Sequence, residues 1–114
     1  MKLRRIACAF LAGLSSPAWA ACGTNACGNV TITRLWAGTE GKVYVQISDS
    51  LAPLDCTPLN SEYMTLLRSD TNSDWIYATL LTSLTAAAGK LERIRIVEGS
   101  SGCTISYVWQ KQQP

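Results

Sequence analysis

Cys22, Cys27, Cys56 and Cys103 are spread through a short chain that contains no histidine. A chain of this size builds a marginal core, and small exported domains compensate with disulfides formed in an oxidising compartment. Four cysteines allow three pairings. Cys22–Cys27 and Cys56–Cys103 are favoured, because the first pair is close in sequence and the second ties the middle of the chain to its end. In the loop-entropy account the long link contributes about 4 kcal/mol and the short one less. With no histidine and no paired C-x2-C knuckles, the set does not read as a zinc site.

The fifth cysteine, Cys8, lies in a segment that reads as a cleaved secretory signal over residues 1–20. Lys2, Arg4 and Arg5 form a positive start, Ile6 to Leu14 an apolar run, and Ala18-Trp19-Ala20 a small-residue cleavage site, in the order such signals require. The run is too short for the ~20 residues that span a bilayer, so no stable membrane insertion is expected after cleavage. Lipoprotein processing at Cys22 is the competing reading, with Trp19 standing where such a signal wants a Leu-like residue. The expected localisation is secreted or periplasmic.

Removing the signal lowers the ten Lys and Arg to seven against eight Asp and Glu, a net charge of −1. The seven cations are scattered, with Arg93 and Arg95 the nearest thing to a patch. Nucleic-acid binders concentrate basic residues on one face, so a nucleic-acid partner is not expected.

Along the chain, residues 21–28 read as a looped N-terminal arm, 29–110 as a single domain and 111–114 as a polar tail expected to fray. Asn29 to Trp36 alternates in β-favouring residues, with Val30, Ile32 and Arg34 or Trp36 on one face and Thr31, Thr33 and Leu35 on the other. Gly38 to Gly41 supplies a turn, and Lys42 to Ser48 alternates again with Val43, Val45 and Ile47 on one face, which makes a hairpin. Asp49 to Asn60 has loop composition, and Glu62 to Arg68 is read as a third strand. A helix is predicted over about 73–88, with Asn72 or Ser73 as its cap and Ile76, Leu80, Leu84 and Ala87 as its apolar stripe. Leu91 to Val97 and Thr104 to Trp109 complete the set as a second hairpin. The fold expected is mainly β with one helix: a small five-stranded OB-like barrel, the helix before the last β-hairpin, stapled by disulfides.

Catalytic chemistry lacks its usual parts. Without histidine or a free cysteine, the common general bases and activated nucleophiles are missing. Asp49 and Asp55 flank one loop as a glycosidase pair does, but Asp at loop ends more often turns the backbone. No Gly-rich phosphate loop occurs, and no cofactor is implied. The chain is therefore read as a non-enzyme. The aromatic residues remain, and Trp36 and Trp75 are the candidates for a ligand-stacking surface, since Trp is enriched at interfaces.

Three stretches, Gly28 to Gly38, Gly41 to Val45 and Ile76 to Ile96, resemble the B subunits of subtilase-cytotoxin-type AB5 toxins, which are secreted OB-fold proteins. Cys56 also falls where that family has a cysteine. The resemblance implies a ring of five and binding of sialylated glycans. The serine that contacts sugar in that family corresponds to Gly28 here, and the second cysteine of its bridge to Gln46, so those roles do not transfer. Tyr77 matches a tyrosine near the helix start and joins the candidate ligand residues. The expectation is a non-catalytic binding module, open to homo-oligomer formation, with a glycan or a protein as ligand. The alternative is a monomeric periplasmic inhibitor or immunity-type protein with one protein partner.

Overall fold

The structure is a computed structural model that describes residues 21–85 and 90–110. The signal at 1–20, the last turn of the predicted helix and the tail at 111–114 lie outside the described residues.

The longest strand organises everything else. β1 (Ala26–Ala37) pairs through its first half with β5 (Lys90–Ile96) and through its second half with β2 (Lys42–Ile47), both antiparallel. β2 continues to β4 (Met64–Leu67) and β5 to β7 (Ile105–Trp109), giving the sheet order β4-β2-β1-β5-β7. One strand serves both halves because it changes direction twice. Asn29 has a positive φ of 52°, and the β1–β2 register slips between Ile32 and Arg34. Such a bulge bends a strand and sharpens its twist. The curl brings the two ends of the sheet together at a parallel bridge, Thr65 to Thr104, where the Thr65 N–H donates to the Cys103 carbonyl at 3.1 Å. The result is the predicted OB-like barrel.

The arm ends sooner than expected. Ala26, Cys27 and Gly28 are strand, paired with Arg95, Ile94 and Arg93. The bulge also corrects the predicted faces of β1: Leu35 packs against the core, and Arg34 and Trp36 share the outer face. An extra residue at Thr33 reverses the alternation beyond it. β2 keeps its alternation, with Val43, Val45 and Ile47 buried. The third strand forms inside the predicted stretch but is shorter, covering Met64–Leu67.

The helix, α1 (Ser73–Thr85), packs on β1 and β7. The Asn72 carbonyl accepts from the Ile76 N–H at 3.0 Å, so Asn72 holds the cap position, while the Ser73 hydroxyl donates to the Arg68 carbonyl. Ile76 and Leu80 are buried as predicted, but the third position of the stripe is Ser83, and Leu84 is partly exposed. Seven residues fall roughly 20° short of two helical turns and eight overshoot by about 80°, so the buried face passes through Ser83 rather than Leu84. Ala87 and Ala88 lie outside the described residues.

Both favoured disulfides are present, Cys22–Cys27 and Cys56–Cys103. Cys22 is thus tied to the start of β1. The loop read as structureless contains β3 (Cys56–Thr57), which pairs in parallel with β6 (Ser100–Ser101) beside the longer disulfide. Two disulfides fit an oxidising, extracytoplasmic environment. Among the described residues, no helix is long and apolar enough to cross a membrane.

Candidate functional site

On the outer face of β1, β2 and β4, cross-strand pairing sets Trp36 opposite Tyr44 and Tyr44 opposite Thr65. The Trp36 ring lies 5.0 Å from Tyr44 at an angle of 49°, and 5.8 Å from Tyr63 nearly edge-on at 71°. Tilted and edge-on pairs suit the aromatic quadrupole and add about 0.5–1.5 kcal/mol each beyond burial. Tyr63 is buried, and its hydroxyl accepts from Arg34 Nη1 at 3.1 Å. Gln46 Nε2 donates to Glu62 at 2.7 Å along the rim. Trp36 itself remains 48% exposed. The arrangement is a rigid platform whose top ring is left open to solvent.

Tyr44 is shared with a groove of about 400 Å³ that runs along the edge of β4. Thr65 and Leu67 line the β4 side, Thr57 to Asn60 with Ser101, Gly102 and Thr104 supply the opposite wall, and Lys42 is the charged residue of the lining. The wall is held by three links: the Cys56–Cys103 disulfide, the β3–β6 pair, and the Gly102 N–H donating to the Thr57 carbonyl at 2.6 Å. Gly102 is required twice over. Its φ is +80°, and a Cβ there would stand 2.8 Å from the Thr65 hydroxyl. Platform and groove together occupy the strand face and the loop between the last two long strands that OB barrels use for oligonucleotides and oligosaccharides.

The three candidate ligand residues do not meet. Trp36 caps the platform. Trp75 stands on α1, 77% exposed, beside a crevice against β7. Tyr77 is half-buried and lines a separate recess with Ala37, Val43, Arg68 and Asp74. Spacing on a helix places Trp75 and Tyr77 on different faces, which a match by position ignores. Asp49 lines a small recess with Gln46 and Glu62, and Asp55 is not part of that lining. Sequence reasoning counted Tyr44 and Tyr63 among the aromatics but did not single them out, and gave Arg34 no role in the site. The Gly38–Gly41 turn carried the signal for Tyr44, since a short hairpin loop sets which residues face each other across the strands.

A second aromatic cluster lies on the outer face of β5 and β7. Arg93 lies over the Trp109 ring at 5.6 Å and Arg95 over Tyr107 at 6.0 Å, each pair being direct cross-strand neighbours. The two guanidiniums thus lie over rings while their side chains stay partly exposed.

Among the described residues, no group of three His, Cys, Asp or Glu is placed to hold a metal ion. No protein-family model, curated protein or solved structure significantly matches this chain.

Proposed function

We propose that this protein is an exported, non-catalytic OB-like module that binds a glycan across the Trp36 platform and the adjoining groove. The observation that carries the reading is the half-exposed Trp36 ring, braced by Tyr44 and Tyr63 beside a groove lined by threonine and serine hydroxyls and the Asn60 amide. A sugar presents apolar C–H faces that stack on a ring and hydroxyls that need donors and acceptors close by, and this surface offers both. A single lysine in the groove and scattered cations elsewhere do not supply the phosphate contacts a nucleic acid needs. The two disulfides support a working place outside the cytoplasm, secreted or periplasmic. The resemblance to toxin B subunits adds a ring of five as the expected assembly.

Immobilised glycans probed with the oxidised protein test the reading. Binding that Trp36→Ala abolishes, while Trp75→Ala leaves it intact, supports this site. Binding insensitive to Trp36 places the ligand elsewhere. Light scattering on the same sample separates five chain masses from one, and a single mass favours the inhibitor-type alternative.

A further inference from the structure

β7 ends the sheet order, and beyond the Thr65–Thr104 bridge its outer edge from Ser106 to Trp109 has no strand partner among the described residues. Exposed edges are usually blunted by charge, proline or a covering element. Here α1 runs alongside and leaves a crevice of about 210 Å³, lined by Trp75, Ile76 and Thr79 on the helix and Ser106 and Val108 on the strand. A strand edge facing a helix across a crevice is a geometry suited to β-augmentation: an added peptide strand gains affinity from main-chain hydrogen bonds and specificity from alternate side chains. Trp75 forms the outer wall and is the most exposed large hydrophobic residue described.

Charge indicates what that strand carries. Arg93 and Arg95 stand two residues apart on β5, and their guanidiniums lie over the Trp109 and Tyr107 rings of β7, the strand whose other edge is free. Side chains two apart on a strand are about 7 Å apart, which is also the repeat of alternate side chains on a strand added beside β7. Glu98 approaches Arg95 at 4.0 Å, but both side chains are substantially exposed and such a pair is weak. We propose that the β7 edge and the α1 crevice dock an extended peptide segment with acidic residues at alternate positions, its carboxylates meeting Arg93 and Arg95 across the Trp109 and Tyr107 rings. A nucleic acid also meets cations, but its backbone has no N–H and C=O ladder for the strand edge.

The test uses the intact, disulfide-bonded protein and a fluorescein-labelled peptide of alternating glutamate and valine, read by anisotropy. The expected result is saturable binding that Arg93→Gln with Arg95→Gln weakens at least tenfold and Trp75→Ala weakens severalfold. Two forms of the peptide, N-methylated on opposite sets of alternate amides, separate strand pairing from charge alone: one set faces β7 and its methylation abolishes binding, while the other is tolerated. No binding of the parent peptide, equal effects of the two methylation patterns, indifference to the arginine substitutions, or tighter binding of an oligothymidylate overturns the proposal. Trp36 and the groove are untouched by these variants, so glycan binding stands or falls separately.

Discussion

The barrel carries aromatic residues on two outer faces, and the two are built differently. On β1–β2–β4 ring braces ring: Trp36 rests on Tyr44 and Tyr63, and the nearby Arg34 is turned to the Tyr63 hydroxyl. On β5–β7 cation covers ring: Trp109 and Tyr107 lie beneath Arg93 and Arg95. The first arrangement leaves an open, electrically neutral ring face for a ligand with C–H surfaces. The second occupies part of its rings with guanidiniums and presents positive charge instead. The same residue types thus yield two surfaces of different chemistry, decided by which neighbour each strand pairing supplies.

Breaking the support of the first face is expected to have the largest effect. Replacing Cys56 and Cys103 by Ser releases a link spanning 47 residues, and chemical denaturation should show a loss of about 4 kcal/mol with the groove wall detached. Next, Gly102→Ala forces a side chain into a left-handed backbone and against Thr65, for a loss of about 1–3 kcal/mol in the same measurement and reduced glycan binding. Trp36→Ala should lower glycan affinity at least tenfold and also lower stability by about 1–3 kcal/mol, because two aromatic pairs are lost with the ring. Trp109→Ala sharpens the contrast: glycan affinity is expected to hold, and stability to fall by about 0.5–1 kcal/mol as one exposed cation–π pair is lost. If Trp109→Ala and Trp36→Ala affect glycan binding alike, the two faces do not have separate roles.

The smallest effect belongs to neither face and has the opposite sign. Ser83 Oγ is buried without a hydrogen-bond partner among the described residues. An unsatisfied hydroxyl costs stability, so Ser83→Ala should leave the unfolding free energy unchanged or raise it by up to about 1 kcal/mol in chemical denaturation.

The strands around Val43, Val45 and Ile47, the helix around Ile76 and Leu80, and the two disulfides were legible because each rests on local information: a period of two, a period of 3.6, or a cysteine count. Trp36 was legible as a candidate because tryptophan on an alternating strand is seldom wholly buried. Its partners were not. The bulge between Ile32 and Arg34 decides that Leu35 turns inward and Trp36 outward, and no residue type in that stretch announces it. Tyr77 matched by position but sits in a recess of its own, because the helix turns it away from Trp75 and the strand faces keep it from Trp36.

By itself, then, the sequence determined the types and order of the long elements and the absence of histidine chemistry, and it favoured without fixing the disulfide pairing, since these depend on residue type and near-neighbour spacing. Only the tertiary structure decided which aromatics share a face, which of them carry arginine, and that the β3–β6 pair walls a groove. Those depend on strand register and barrel closure, which join residues far apart in the chain, and a one-residue slip at Thr33 reverses the faces of everything beyond it in β1.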